Sequence, residues 1–176
     1  MSNADTPQLH YIPHDDFLAD VRSVAQAIDR DAWKPDFIVG IGRGGLVPAV
    51  YISHQLNLPM LSVDHSSKVP GFADELLGKV AEKSADGTKL LFIDDINDSG
   101  GTIDYVRRLL SESGCHDDNL RFAVLMNNAR SKVSVEYWAQ MIDRNEDKRW
   151  FVFPWEAVGQ SDTILEEALS VPERLA

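Results

Sequence analysis

Two adjacent carboxylates and a turn of small residues follow one apolar run. Asp94 and Asp95 come directly after Leu90 to Ile93, and the turn Ser99 to Thr102 precedes a helix-like run, Ile103 to Ser113. A short apolar run bounded by turn residues is typical of a strand buried on both faces of a parallel sheet. Carboxylates accept hydrogen bonds from sugar hydroxyls and bind hard cations. The start of a helix binds phosphate through its unpaired N–H groups and its dipole. The spacing therefore predicts a site for a phosphorylated ribose.

The same segment, residues 90 to 102, resembles the 5-phosphoribosyl-1-pyrophosphate (PRPP) signature of type I phosphoribosyltransferases. The resemblance implies that Asp94 and Asp95 receive the ribose hydroxyls. The 5-phosphate would be held by Ser99, Gly100, Gly101 and Thr102. The resemblance also implies that Asp98, part of the PRPP signature, accepts a proton from the imidazole edge of a 6-oxopurine as general base or orienter. The alternatives are an ordinary turn with solvated acids, or a helix cap at Asp98.

A second turn, Gly42-Arg43-Gly44-Gly45, follows the apolar run Phe37 to Ile41. It resembles the pyrophosphate loop of the same family, especially of its purine-salvage members. Glycines let the backbone approach phosphate oxygens closely, and Arg43 adds a planar, always-charged donor fork. The resemblance therefore implies that Gly42, Arg43 and Gly44 bind PRPP and that Arg43 assists catalysis. Relatives carry a non-proline cis peptide in this loop, which makes the Gly42–Arg43 bond the candidate here.

The aromatic segment Trp150 to Glu156 resembles the base-binding end of the bacterial xanthine-guanine enzyme and its archaeal relatives. The resemblance implies that Trp150 stacks on the purine and that the backbone of Phe151 and Val152 reads the edge of the base. Stacking of an aromatic ring on a nucleobase contributes on the order of 1–3 kcal/mol. Glu156 matches an acid that holds magnesium on the pyrophosphate side. The magnesium ligands implied in this way are Asp94, Asp95 and Glu156.

One position departs from the family pattern. Enzymes for 6-oxopurines usually place a lysine just after the fourth core strand, where it donates to the exocyclic oxygen of the base. The strand predicted over Arg121 to Met126 is followed here by Asn127 and Asn128, which we expect to contact the base. An asparagine side chain both donates and accepts, so it can read an oxo or an amino group. Adenine or a non-purine base therefore remains an alternative acceptor.

Strands alternate with amphipathic helices along the chain, which predicts an α/β fold with a parallel sheet. The predicted strands are Phe37–Ile41, Met60–Val63, Leu90–Ile93, Arg121–Met126 and Trp150–Phe153, and the predicted helices are His14–Arg30, Leu46–Leu56, Ile103–Ser113 and Ile164–Leu169. Ligands bind beyond the carboxyl ends of such strands, so the turns that follow them should converge on one cleft.

The resemblance implies one domain over residues 1 to 176, with the type I phosphoribosyltransferase fold. Helices flank a parallel core sheet at about residues 35–126, and a small hood comes from the N-terminal stretch and about residues 127–157. Residues 64 to 87 are polar, and their sequence predicts a turn at Pro70-Gly71 and a short helix over Ala73 to Ala81. This stretch matches the family's mobile flap in location and would close over PRPP.

Composition narrows the class of protein. The formal net charge of −11 argues against nonspecific binding to nucleic acid or to an anionic membrane. The single cysteine excludes an internal disulfide framework and fits a reducing compartment. No apolar run reaches the length of a membrane span, and no signal peptide is recognisable, so we expect a cytoplasmic protein.

Taken together, the resemblance implies a magnesium-dependent transfer of 5-phosphoribose from PRPP to hypoxanthine, guanine or xanthine, carried out by a homo-oligomer, a dimer or a tetramer. The alternative from another class is a non-catalytic PRPP-binding regulator that also binds nucleic acid. Arg43, Trp150 and the acidic charge weigh against that alternative.

Overall fold

A parallel sheet of five strands forms the centre of the molecule. The computed structural model describes residues 7–64 and 72–171. In chain order the elements are β1 (Leu9–Tyr11), α1 (His14–Arg30), β2 (Phe37–Ile41), α2 (Gly42–Leu56), β3 (Met60–Val63), α3 (Phe72–Ala85), β4 (Leu90–Asn97), α4 (Gly101–Glu112), β5 (Leu120–Asn128), β6 (Tyr137–Ile142), β7 (Trp150–Val152) and α5 (Ser161–Leu169). The strand order in the central sheet is β3-β2-β4-β5-β6, with every pair parallel.

The central strand β4 is buried on both faces, as its unbroken apolar run predicts. Leu91 and Ile93 point into a core shared with α1 and α2, whereas Leu90 and Phe92 point into a second core shared with α3 and α4. Helix α1 contributes apolar residues at helical spacing to the first core, among them Phe17, Val21, Val24 and Ile28. The two cores hold the strands rigidly, so the side chains at the strand ends have fixed positions.

The central sheet reaches further along the chain than the sequence predicts. Strand β4 continues through both acids to Asn97, because β5 pairs with it as far as Asn127. Strand β5 runs on to Asn128, and β6 adds a fifth strand, so the core sheet extends to residue 142 rather than to about 126. The sequence did not predict β6, an edge strand whose mixture of buried and exposed residues gives no continuous apolar run.

Helix α2 begins at Gly42, four residues earlier than predicted, so the glycine turn is itself the first turn of the helix. Gly42 has a positive φ of 54°, which lets the chain pass from β2 into the helix without an intervening loop. The described residues contain no cis peptide bond, and the prediction of a cis Gly42–Arg43 bond is wrong.

The stretch predicted as a polar flap contains a long helix. Helix α3 covers Phe72–Ala85, longer than the predicted Ala73–Ala81, and buries Leu77, Val80 and Ala81 in the second core. This part of the stretch is therefore a packed element of the core. The predicted lid over the substrate falls largely on residues 65–71, which lie outside the described residues.

A separate two-stranded parallel sheet joins the N-terminal segment to a segment near residue 150. Strand β1 pairs with β7 in the register Leu9↔Trp150 to Tyr11↔Val152. It contains a part of each of the two segments from which the hood was predicted, whereas β6, which also falls within residues 127–157, belongs to the central sheet. Within residues 7–64 and 72–171, no helix combines the length and the apolar character that crossing a membrane would need.

Candidate active site

The glycine turn at the start of α2 packs directly against the carboxyl end of β4. A Cβ atom added to Gly45 would lie 2.0 Å from the carbonyl oxygen of Ile93, and one added to Gly44 would lie 2.4 Å from a carboxylate oxygen of Asp95. Only glycine allows this approach without displacing the helix or the acid. The two turns that the sequence singled out are therefore in contact, which brings Arg43 next to the acid pair.

The turns converge on a cleft of about 540 Å³. Its lining includes every residue predicted to bind PRPP: Gly42, Arg43, Gly44, Asp94, Asp95, Asp98, Ser99, Gly100, Gly101 and Thr102. Glu156 and Trp155 close one side of the cleft, and Thr163 and Glu167 of α5 border it. The convergence expected from the parallel sheet is confirmed for the turns at residues 42–45 and 94–102. The third turn expected there, residues 64–68, lies almost wholly outside the described residues. Helix α5 adds a wall that the sequence did not predict.

The turn before α4 has the form of an anion site. Gly100 occupies the N-cap of α4 with φ 89°, and no side chain caps the helix there. The N–H of Gly101 donates to Oγ of Ser99 at 3.3 Å. A Cβ atom on Gly100 would come within 2.9 Å of Ser131 and Val133, so a close approach and a positive φ both require glycine. The first-turn amides of α4 border the cleft and can donate to a phosphate.

Three carboxylates crowd together at the other end of the cleft. Burial and the charge of Asp95 raise the pKa of Asp94 well above its ordinary value. Burial and the charge of Glu156 raise the pKa of Asp95 to about 7. The pKa of Glu156 is raised mainly by burial, and the positive charge of Arg43 opposes that rise. Such a cluster is stabilised by a cation or by hydroxyl donors, because either relieves the repulsion between the acids.

Backbone amides hold these carboxylates in place. Asp94 accepts the N–H of Asp95 at 3.0 Å, and Asp95 accepts the N–H of Ile96 at 2.7 Å. Glu156 accepts the N–H of Phe153 at 2.9 Å. Among the described residues, no group of three or more His, Cys, Asp or Glu side chains is arranged so that it could hold a metal ion by itself. A cation at this end of the cleft would need further oxygen ligands from the substrate.

A smaller cavity of about 180 Å³ adjoins the cleft. It shares Asp95, Ile96 and Glu156 with the cleft, and Arg144, Trp150, Phe151 and Phe153 complete its wall. The aromatic residues predicted to bind the base therefore border a compartment next to the predicted ribose site. Its three aromatic side chains suit a flat, planar ligand, and its charged side chains, Asp95, Arg144 and Glu156, can contact polar groups on that ligand.

The residues of strand β7 differ in whether their backbone N–H and C=O groups face β1 or face away from it. The N–H of Trp150 donates to Gln8 and the carbonyl of Val152 accepts from Ile12 at 2.9 Å, so both residues face β1. Because successive residues of a strand point their N–H and C=O groups to opposite edges, those of Phe151 face away from β1. Phe151 is therefore better placed than Val152 to contact a base through its backbone.

Asp98 is held by an arginine that the sequence analysis missed. Arg144 Nε and Nη2 donate to the two carboxylate oxygens of Asp98 at 3.0 and 3.1 Å. The N-cap of α4 is Gly100, so Asp98 does not cap the helix as the alternative proposed. The pair spans 46 residues of sequence, and Arg144 lies in a charged stretch that resembles a solvated turn. The absence of the usual lysine after β5 was the signal in the sequence that pointed to a cation from elsewhere in the chain.

The side chains of Asn127 and Asn128 are buried and bonded within the protein. Asn127 Oδ1 accepts from Asn97 Nδ2 at 2.8 Å. Asn128 Nδ2 donates to the carbonyl of Asp98 at 3.0 Å, and its Oδ1 accepts the N–H groups of Arg130 and Arg144 at 3.1 and 3.3 Å. These bonds tie the end of β5 to the loop after β4 and to the turn after β6. Neither asparagine lines the smaller cavity.

Comparison with known proteins identifies the class. The family model for the phosphoribosyl transferase domain matches residues 9–160, and the chain belongs to this family. The xanthine-guanine phosphoribosyltransferase of Cereibacter sphaeroides is 28% identical over 156 residues, which cover 83% of this chain and 86% of the relative. These findings confirm the family predicted from the sequence.

Solved structures agree in fold. The purine phosphoribosyltransferase from Pyrococcus horikoshii matches with a TM-score of 0.64 at 23% identity, covering 86% of this chain and 96% of that one. The xanthine-guanine-hypoxanthine phosphoribosyltransferase of Helicobacter pylori matches with a TM-score of 0.63 at 22% identity, covering 85% and 94%. The predicted type I phosphoribosyltransferase fold is confirmed.

Proposed function

We propose that the protein transfers 5-phosphoribose from PRPP to a 6-oxopurine, namely hypoxanthine, guanine or xanthine, and releases pyrophosphate. The observation that carries the proposal is the pair of adjoining cavities, one bordered by acids and phosphate-binding turns and the other by aromatic rings. The similarity to proteins named xanthine-guanine phosphoribosyltransferase supports the choice of base. We place the reaction in purine salvage in the cytoplasm, and we expect a dimer or tetramer.

Different residues of the cleft bind different groups of PRPP. Asp94 and Asp95 accept hydrogen bonds from the ribose hydroxyls. The amides and hydroxyls of residues 99–102 hold the 5-phosphate. Arg43 and the amides of the glycine turn hold the pyrophosphate, where negative charge develops as the bond to the ribose breaks. The nearby carboxylates favour the positive charge that appears on the ribosyl carbon at the same time.

Asp98 manages the proton of the base. The ring nitrogen N9 forms a bond to C1 of the ribose while the bond from C1 to the pyrophosphate oxygen breaks. The base must lose one proton in this step, and the carboxylate of Asp98 accepts it from N7. Trp150 and Phe151 hold the ring in plane, which aligns N9 with the ribose carbon. No covalent bond to the protein is required.

Magnesium fits the acidic end of this site. The pKa of Asp95, raised to about 7 by burial and by Glu156, indicates carboxylates whose repulsion a cation would relieve. Asp94, Asp95 and Glu156 would hold the ion together with oxygens of PRPP. When bound, magnesium neutralises charge on the leaving pyrophosphate.

The test is pyrophosphate release from PRPP, with and without magnesium, offering hypoxanthine, guanine, xanthine, adenine and uracil separately. Release with one or more 6-oxopurines that requires magnesium supports the proposal. Release with adenine or uracil alone would replace the proposed acceptor. Tight binding of PRPP without release with any base would contradict catalysis and favour a PRPP-binding regulator.

A further inference from the structure

We propose that Arg144 selects the base by its exocyclic group, donating to the oxygen at C6 while Asp98 accepts the proton at N7. This inference rests on the proposed function, because it names the residue that determines which purine the site takes. Arg144 lines the smaller cavity together with Ile96, Trp150 and Phe151. It therefore brings a fixed positive charge into this cavity, which the apolar and aromatic side chains of Ile96, Trp150 and Phe151 also line.

The structure anchors Arg144 from several directions. Its Nη1 donates to the carbonyls of Asp147 and Arg149 at 3.2 and 2.7 Å. Its guanidinium carbon lies 4.9 Å from the centre of the Phe151 ring, within the range of a cation–π contact. The side chain is only 11% exposed. An arginine buried to this degree keeps its position, so it can act as a geometric template for a ligand.

The hydrogen bonds of Arg144 leave a donor for the ligand. A guanidinium carries five N–H groups and has no acceptor. Four of the five serve the carbonyls of Asp147 and Arg149 and the carboxylate of Asp98. We assign the fifth, on Nη2, to the exocyclic oxygen of the base. The carboxylate of Asp98 also accepts from Asn128 Nδ2 at 3.4 Å, and it is the acceptor that we assign to the proton at N7.

The pair therefore offers an acceptor and a donor side by side. A 6-oxopurine protonated at N7 presents the complementary edge, with an N–H donor at N7 and a carbonyl acceptor at C6. Adenine presents an amino group at C6, which donates where Arg144 also donates. A buried polar group without a partner costs binding free energy, so the pair disfavours adenine. Arg144 thus supplies the cation that is missing after β5, from a different position in the chain.

Neighbouring residues do not compete for this role. Arg130, in the turn after β5, forms an ion pair with Asp143 at 3.0 Å and is 61% exposed. Arg149 pairs with Asp147 at 2.7 Å. Neither arginine lines the smaller cavity. Arg130 is therefore a matched control, since it is an arginine of the same region with a carboxylate partner outside the cavity.

The experiment compares hypoxanthine with unsubstituted purine, which has hydrogen in place of the oxygen at C6. In the Arg144→Gln variant, we expect the ratio of kcat/KM for hypoxanthine to that for purine to fall roughly 10- to 100-fold, the size of a lost hydrogen bond to a charged group. The KM for PRPP should stay within about twofold, because Arg144 does not border the larger cleft. Arg130→Gln should leave the ratio unchanged.

An equal loss of activity with both bases would overturn the inference, because Arg144 would then act only by positioning Asp98. A fall in the ratio for Arg130→Gln instead would also overturn it. In both cases the wild-type protein still turns over hypoxanthine, so the proposed function survives. If the wild-type protein turns over neither base, the proposed function fails and the inference fails with it.

A binding measurement covers the case in which the variant loses catalysis. Calorimetric titration with inosine monophosphate and with the monophosphate of unsubstituted purine riboside gives the same ratio without turnover. The wild-type protein should prefer inosine monophosphate, and Arg144→Gln should reduce that preference by about tenfold or more. Arg144→Lys, which keeps the charge but loses the planar fork, should fall in between. An unaltered preference in Arg144→Gln would contradict the proposal.

Discussion

The four acids of the candidate site differ in what surrounds them, and this difference divides their roles. Burial raises the pKa values of Asp94, Asp95 and Glu156, and a neighbouring carboxylate adds to each rise: Asp95 for Asp94, Glu156 for Asp95 and Glu167 for Glu156. Asp98 instead lies in a two-pronged hydrogen bond with Arg144. Crowded carboxylates suit a cation and a sugar diol, whereas a carboxylate fixed in orientation suits transfer of one proton at a defined atom. The chemistry of each acid follows from its neighbours.

Replacing Asp98 by Asn tests the proton transfer. The amide keeps the size of the carboxylate but accepts a proton poorly, so turnover with hypoxanthine should fall about 10²- to 10⁴-fold. The dissociation constant for PRPP, measured by calorimetry, should stay within about threefold. Asp104→Asn is the control, because Asp104 lies one turn into α4 and outside the cleft. Turnover that survives Asp98→Asn unchanged would remove Asp98 from the proton transfer.

The raised pKa of Asp95 predicts a pH-dependent stability of the metal-free protein. The pKa of about 7 in the folded protein lies above the ordinary 3.8, so the folded state binds the proton more tightly than the unfolded state. The resulting stabilisation is complete below about pH 4 and is lost as the pH rises through about 7. The asparagine of the Asp95→Asn variant stays neutral at every pH, so this variant does not lose stability through that titration.

Urea unfolding in the presence of a chelator measures this effect. The free energy of unfolding of Asp95→Asn, relative to wild type, should increase by on the order of 2 kcal/mol between pH 5 and pH 8. Asp86→Asn, at an exposed position after α3, should show a much smaller change. A difference between Asp95→Asn and wild type that does not vary with pH would show that the carboxyl of Asp95 titrates outside this range.

At the scale of elements, the site depends on how closely α2 approaches β4. Backbone atoms of the two elements come so close that a single methyl group on Gly45 would lie 2.0 Å from the Ile93 carbonyl. The carbonyl belongs to the central strand of the sheet and is fully enclosed by two cores, so it cannot shift cheaply. The distance between the pyrophosphate turn and the acid pair is consequently set by backbone packing.

Gly45→Ala should therefore destabilise the protein by about 3 kcal/mol or more and move the start of α2 away from β4. The same substitution at Gly78 of α3 is the matched control. An added Cβ there meets no atom within 4 Å, and alanine favours a helix over glycine by about 0.5–1 kcal/mol. The unfolding temperatures of Gly45→Ala and Gly78→Ala, each compared with that of the wild type, test both expectations. A Gly45→Ala protein as stable as wild type would contradict the close packing described here.

The elements also show which features a sequence can predict. Strands β2 and β3 were predicted with their observed bounds, because apolar runs flanked by Pro and Gly turns leave little choice of structure. The extension of β4 through its acids was not predicted, since it depends on pairing with β5 rather than on local residue type. Strand β6 was missed because edge strands carry mixed patterns.

The same reasoning explains what was found and missed in the site. The roles of the residues in the two turns were implied by the resemblance to the phosphoribosyltransferase family, and their convergence was expected because the parallel sheet brings strand ends together. Arg144 was missed because its partner lies 46 residues away and nothing in the local pattern of the 143–149 stretch specifies that contact. Contacts between distant segments are the part of a site that a single sequence leaves undetermined.

At the scale of the whole molecule, the net charge of −11 limits the class of partner. Under the proposed function, the protein would bind an anionic substrate through local donors, namely Arg43 and the amides at two helix starts, while its overall negative field repels polyanions. A phosphate-binding regulator of nucleic acid would need a basic surface to neutralise many phosphates.

We therefore expect no binding to nucleic acid. In a gel-shift assay at low salt, duplex DNA and single-stranded RNA should migrate unchanged at micromolar protein, in a preparation shown by calorimetry to bind PRPP. Low salt is the stringent condition, because electrostatic binding to nucleic acid is tightest there. A shift of the nucleic-acid band that disappears as the salt concentration is raised would contradict this expectation. It would favour the alternative of a PRPP-binding regulator that binds nucleic acid.

The small sheet of β1 and β7 has a consequence for how the protein is made. It joins residues 9–11 to residues 150–152, the longest strand pairing by sequence separation that the structure contains in its described part. A ribosome releases β1 first, but β1 cannot pair until nearly the whole chain has emerged, whereas the core strands can begin to assemble earlier. A nascent chain that ends before residue 150 can carry both phosphate-binding turns but not the aromatic wall beside them. Under the proposed function, such a chain would already contain the residues of the PRPP site and Arg144, but the compartment for the base would be complete only after β7 has paired with β1.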